Sequence, residues 1–347
     1  MVKISSQLII SMFRTPSTAL ELDEATWQTV ILVLRKHQIL ARYSYRFRAF
    51  NIFDSLPKYA RHHFVNAEIL AEKQNHQVSF EAEQLHSIIS DSSDAKIFLK
   101  GAGYSLAGHK VSKGRTYSDI NLLVSKGSIS EIERKLILHL WFAEVKSDYD
   151  ENYYRKWAHE IPPMRHAHRG TVLDLHHNLV PIISGKAPNI ELFIQHVEVL
   201  DNDIQVLKPF AMTLHSMIHL FFNDDFTNAY RDLTYLHLII DEQGSEECWY
   251  ELLESASRTG FKRELFLGCR YCSTILGTAI PDGVMVELTD SVANWQLPIL
   301  DRIFLKALTP GHHLLAEGKN PMAHFFALVR GHILKMPLNI LIFHTFH

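Results

Sequence analysis

The residues with the most evident capacity for chemistry lie between positions 96 and 124, KIFLKGAGYSLAGHKVSKGRTYSDINLLV. An apolar run ends at Lys100-Gly101, a glycine-bearing turn and a small helix are expected next, and a second apolar run carries Asp119 and Asn121. Side chains alternate across a strand, so this spacing puts Asp119 and Asn121 on one face and Ile120 and Leu122 on the other. Two metal-seeking oxygens then project together beside a glycine turn, an arrangement suited to a metal-bound phosphate. Mg2+ is a hard cation that takes oxygen ligands, and glycine lets backbone N–H groups approach phosphate oxygens. Lys100, Gly101 and Gly103 are therefore expected on the phosphate side of a cleft, with the dipole of the following helix adding to them.

Further along, MRHAHRG (164–170) and TVLDLHHNL (171–179) alternate in the strand manner around a turn at Gly170, which predicts a hairpin. Its second strand has Asp174 and His176 on one face and Leu173 and Leu175 on the other. Asp174 can thus meet Asp119 across neighbouring strands.

FLKG (98–101), RTYSDINLLV (115–124) and VLDLHHNL (172–179) resemble a bacterial family of uncharacterised nucleotidyltransferases, whose pattern is roughly LKG, RxxSDIDLLV and DLHW. The likeness spans roughly residues 30 to 260, and the family is similar to the polymerase-beta-like nucleotidyltransferases. It implies Mg2+ (or Mn2+) held by Asp119, Asn121 and a third acid, whose place Asp174 fills. It also implies a nucleoside triphosphate, with ATP the first choice, bound on Lys100, Gly101, Gly103, Arg115, Ser118 and His176. The reaction implied is transfer of a nucleoside monophosphate to a hydroxyl of a small molecule, peptide or protein.

One position departs from the pattern, since the second acid is Asn121. The gross attraction of a carboxylate for a dication 4 Å away is on the order of 8 kcal/mol at an effective dielectric near 20, much of it offset by desolvation. Losing part of that leaves three readings open: a slow enzyme, a nucleotide-binding or protein-interaction module with weakened catalysis, or an introduced Asp-to-Asn change.

The elements that must position these residues are mostly helical. ATWQTVILVLRKHQIL and HFVNAEILAEKQNHQVSFEAEQLHSIIS carry apolar residues at helical spacing, with Pro57 between them where one helix should stop and another begin. Residues 128–142 read as a helix, 143–147 as a strand, 150–163 as a loop or short helix, and the chain from about 205 onward as helices. The expected class is α+β: a helical region over 1–92, a small mixed sheet within 93–207, and a helical region over 208–347.

A chain of 347 residues, 47% hydrophobic and 21% charged, has ample material for packed cores. Its net charge of -3 argues against gripping long nucleic acid, which needs a basic excess. No run reaches the length of a membrane span, and the amino terminus lacks the pattern of a signal peptide, so a cytoplasmic protein is expected. Cys269 and Cys272 form a CxxC on a helical stripe without a second ligand pair, which favours plain thiols over zinc. Arg165, His166, His168 and Arg169 form a small basic cluster read as solvated charge. His215 and His219 are four apart near Asp232 but lack the glutamate of a metallohydrolase motif, so packing or cleft lining is expected. The apolar 332–347 segment is expected to pack on the body.

Overall fold

The computed structural model describes residues 2–92, 95–145, 147–337 and 340. In chain order the elements are α1 (Ser6–Arg14), α2 (Glu24–Lys36), α3 (Leu40–Ala49), α4 (Lys58–Ile89), β1 (Lys96–Leu99), α5 (Lys100–Leu106) and β2 (Ile120–Val124). Then come α6 (Ile129–Leu138), β3 (Trp141–Ala143), α7 (Asp148–Lys156), β4 (Met164–His166), β5 (Val172–His176), α8 (Glu191–Ile194), β6 (Val197–Val199) and β7 (Gln205–Leu207). Helices α9 (Pro209–Phe222), α10 (Ala229–Gln243), α11 (Glu246–Thr259), α12 (Lys262–Tyr271), α13 (Asp282–Leu288), α14 (Leu297–Ala307) and α15 (Pro321–Lys335) follow. The class is α+β, a mixed sheet between helical flanks, as expected.

The sheet has seven strands in the order β3-β4-β5-β2-β1-β7-β6. Its centre is mixed: β1 runs antiparallel to β2, whereas β2 with β5 and β1 with β7 are parallel. Every residue of β2 is buried, which explains its unbroken apolar run apart from Asn121. The hairpin expected over 164–179 forms as antiparallel β4 and β5.

Helix α4 is the long brace beside this sheet. Phe64, Glu68, Ala71, Val78, Ala82, Leu85 and Ile89 recur at three- and four-residue intervals, give or take one turn, and make its buried stripe. Pro57 stands at its N-cap, the boundary read from the sequence. The expected strand over 143–147 is corrected: the chain turns into β3 earlier, at Trp141, because Leu140 takes a positive φ of 67° that ends the helical path and sends Trp141 into the core.

The basic cluster of the hairpin is solvated at Arg165, His168 and Arg169, as expected, while His166 is buried. Arg165 pairs with Glu144, and the His166 ring accepts backbone N–H groups of His168 and Arg169. Arg169 forks onto Glu81 of α4 at 2.6 and 2.9 Å, and Thr171 donates to the same carboxylate at 2.8 Å. The Glu81 side chain is 0% exposed, so it depends on these donors. Arg169→Ala is expected to cost about 3 kcal/mol in denaturant unfolding, because it strands a buried charge. Replacing Glu81 with Leu and Arg169 with Met together should recover most of that loss.

Cys269 and Cys272 are buried, and burial pushes the Cys269 thiol up to about 12 and Cys272 well above its usual value. Both are neutral packing groups. Of the carboxy-terminal segment, Met336 is buried and Lys335 reaches Asn223 and Asp224 at 2.8 and 2.6 Å. Residues 338–339 and 341–347 lie outside the described residues. No described helix is long and apolar enough to cross a membrane.

Candidate active site

Strand register brings the sequence candidates together. Leu99 at the end of β1 is opposite Asn121 of β2, and Asn121 is in turn opposite Asp174 of β5. Asp119 immediately precedes β2 and not within it, yet its carboxylate still meets the Asn121 side chain, whose Nδ2 donates to Asp119 Oδ2 at 2.5 Å. Ser118 Oγ donates to the other oxygen of Asp119. Asp174, one strand over, lies close enough to Asp119 for each carboxyl to shift the other's titration.

Lys100 begins α5 with a positive φ of 48°, a backbone conformation that a side-chain-bearing residue seldom adopts. That turn aims its ammonium back at the strands, where Nζ donates to Asn121 Oδ1 at 2.7 Å. His176 Nε2 reaches the same oxygen at 2.9 Å from beneath. Asn121, expected as a metal ligand, therefore has its oxygen engaged by two donors and its amide nitrogen by Asp119. It acts as a bridge holding Lys100, His176 and Asp119 in register. His176 is buried and lines neither cleft described below.

The glycines divide in role. A Cβ on Gly101 would stand 2.7 Å from Arg115 Nε, so this glycine admits Arg115 to the cleft. A Cβ on Gly103 would stand 2.6 Å from the Phe98 carbonyl oxygen. Gly103, expected to face phosphate, is instead where α5 presses on β1, and it does not line the cleft.

Arg115 sits among the rings of Tyr235, Tyr104 and Tyr117, with its guanidinium carbon 4.2, 5.4 and 5.8 Å from their centres. Among the described residues it pairs with no carboxylate, and its Nε lacks a hydrogen-bond partner. A planar cation packed this way keeps its charge available to an anion.

Two clefts meet at these groups. The first, about 260 Å³, is walled by Lys100, Gly101, Arg115, Ser118, Asp119 and Asn121, and by Arg231, Asp232 and Tyr235 of α10. The second, about 170 Å³, holds Asp174, His159, Glu160 and Lys335. Lys100, His219 and Asn223 line both.

Electrostatics separate the acids. Burial raises Asp119, but the Lys100 ammonium and hydrogen bonds from Ser118, Asn121 and Asp174 outweigh it and hold the carboxyl below its usual range. Burial, then the Glu160 and Asp119 charges, push Asp174 up to about 8. Burial likewise raises Glu160. It also lowers His159, His176 and His219 well below the usual histidine value, with Lys100 the next cause, and brings His215 down to about 3. Among the described residues His215, His219 and Asp232 do not converge as a ligand set.

Sequence reasoning missed Glu160 and His159. They stand in the aromatic stretch read as a rim loop, and a short bridge between Glu160 and His176 pins them to the end of β5. The only local signal is a His-Glu pair just before Ile161-Pro162-Pro163.

No curated protein and no solved structure matches the chain. A family profile does, described as uncharacterised nucleotidyltransferase, and the match runs over residues 23–277, from α2 through the sheet and past α12. The chain belongs to this family of uncharacterised nucleotidyltransferases.

Proposed function

We propose that this nucleotidyltransferase moves a nucleoside monophosphate from a nucleoside triphosphate, ATP being the first candidate, to a hydroxyl of a small molecule, peptide or protein. The observation that carries the reading is the β1-β2-β5 register, with Asp119, Asp174 and Lys100 gathered around Asn121 where the two clefts meet. The donor set suits a hard divalent cation: the Asp119 and Asp174 carboxyls are close enough to perturb one another, and the charge of a third acid, Glu160, adds to the raising of Asp174. Asp119 and Asp174 are the residues that would hold Mg2+ or Mn2+. Bound there, the cation supplies positive charge to the phosphate oxygens and acidifies the attacking hydroxyl.

The chain's own groups do the rest. Lys100 and Arg115 present fixed cations to the phosphates, and Ser118 holds one Asp119 oxygen so that the other faces the strands. The acceptor oxygen attacks the α-phosphorus in line, its proton passes to a carboxylate, for which Asp174 in its ionised form is the candidate, and the bond to pyrophosphate breaks. Backbone strain at Lys100 fits such a role, since strained conformations concentrate where a side chain must be aimed.

The test is incubation with Mg2+, a cell extract as acceptor source, and each triphosphate labelled in turn at the α- and the γ-phosphorus. Acceptor labelling from the α-position alone, absent with Asp119→Ala, is the expected result. Labelling from the γ-position would mean phosphoryl transfer. Triphosphate binding without any labelling would make the protein a binding module, the reading that Asn121 favours.

A further inference from the structure

The Asn121 amide has only one possible orientation. Its nitrogen must face the Asp119 carboxylate, which only accepts, and its oxygen must face the Lys100 ammonium, which only donates. His176 Nε2, 2.9 Å from that oxygen, must therefore carry a proton. In a neutral imidazole the other nitrogen is then a bare lone pair. That nitrogen, Nδ1, is buried without a hydrogen-bond partner on a residue only 3% exposed. It stands 3.2 Å from Glu160 Oε2, so two acceptors confront one another.

Something positive belongs in that gap, and a third group indicates what. His159 Nε2 approaches the same Glu160 oxygen at 4.0 Å, and one ligand atom from each of His159, Glu160 and His176 lies within 4.8 Å of the others. Neighbouring ligands on one four-coordinate cation stand about 3–3.5 Å apart, so the His176–Glu160 spacing already fits, while His159 must close by at least about 0.5 Å on Glu160 and by up to about 1.5 Å on His176, a shift within reach of a side-chain rotation. The backbone is fixed for it: His177 and Asn178 N–H groups donate to the His159 carbonyl and Ile161 N–H to the Leu175 carbonyl, at 2.8–3.1 Å. A ligating histidine normally gives its second N–H to a carbonyl oxygen that sets its tautomer, which is what Asn121 does for His176.

We infer that His159, Glu160 and His176 form a binding site for a first-row transition cation of the zinc class, separate from the Asp119–Asp174 carboxylate pair. Two imidazoles and a carboxylate favour Zn2+ or Co2+ over Mg2+, which prefers oxygen alone. Such a site leaves the fourth position open to water or a ligand from the adjoining cleft, which His159 and Glu160 line together with Asp174. The inference does not depend on nucleotidyl transfer, and its readout is metal binding.

Full-length protein stripped with chelator is titrated with Zn2+ against a chromogenic zinc dye, and with Co2+ while the visible absorption is followed. One equivalent should bind, with the intense absorption of four-coordinate, nitrogen-ligated cobalt, and Asp119→Ala should keep both. Glu160→Gln and His159→Ala, each checked for folding by circular dichroism, should weaken zinc binding by about a hundredfold and lose the cobalt band. Zinc affinity unchanged in both folded variants would overturn the site. So would the absence of zinc binding to the folded wild type, which would mean that a proton alone fills the gap between His176 and Glu160.

Discussion

Asp174→Asn is expected to stabilise the metal-free protein by about 2 kcal/mol at pH 7.5 while lowering nucleotidyl transfer by about a thousandfold or more. Both effects come from the same crowding. Asp119, Asp174 and Glu160 approach one another around the Lys100 ammonium, with Lys335 also acting on Glu160, and Asp174 absorbs the conflict by holding its proton up to about pH 8. An unfolded Asp gives up that proton near pH 4, so the folded wild type must bind a proton that the unfolded chain does not need. Stability of the wild type therefore falls as pH rises from about 4 to about 8 and levels off above. The Asn variant does not titrate and brings no negative charge up to Asp119 and Glu160. Its advantage should widen across that window and stay constant beyond it, in denaturant unfolding with chelator present. Equal stability of the two proteins at pH 5 and pH 8 would show that the acids do not strain one another. Full transfer activity in the variant would remove Asp174 from the chemistry.

That tension was partly legible in the sequence. The alternation in TYSDINLLV and TVLDLHHNL is strong because β2 and β5 are short, central and flanked by apolar residues, so polar exceptions stand out. The stripe of α4 and the stop at Pro57 were legible for a similar reason, as local periodicity and backbone geometry decide them. Gly103 was misjudged because a glycine needed for helix-strand contact looks the same in sequence as one needed for phosphate. Glu160 and His159 were barely legible: beyond a His-Glu pair before two prolines, their place depends on a bridge to the end of β5 that no local pattern encodes. Arg115 is intermediate, since Tyr104 and Tyr117 are near it in the chain, whereas Tyr235, its closest ring, comes from α10.

Asn121→Asp should do the reverse of Asp174→Asn when metal is removed, and for the same reason. The amide nitrogen at 2.5 Å from Asp119 Oδ2 would become an oxygen, turning a hydrogen bond into a contact between two carboxylates in a buried strand. Lys100 and His176 can still donate to the other oxygen, so the fold should survive, at a loss of about 2–3 kcal/mol in chelator. A divalent cation changes the sign, because a new carboxylate beside Asp119 is a stronger ligand than an amide whose oxygen is already taken. Binding to the folded state alone returns stability as the logarithm of cation concentration over Kd, so millimolar Mg2+ should recover the loss in the variant and change the wild type less. Mg2+ affinity should rise at least about tenfold and transfer with it. If the variant is as stable as the wild type in chelator, or if Mg2+ restores nothing, Asn121 is not the hinge between the acids and the cation. If stability recovers but transfer does not rise, the amide is the group that the reaction of this chain requires, since only its N–H can donate to Asp119 while its oxygen holds Lys100 and His176.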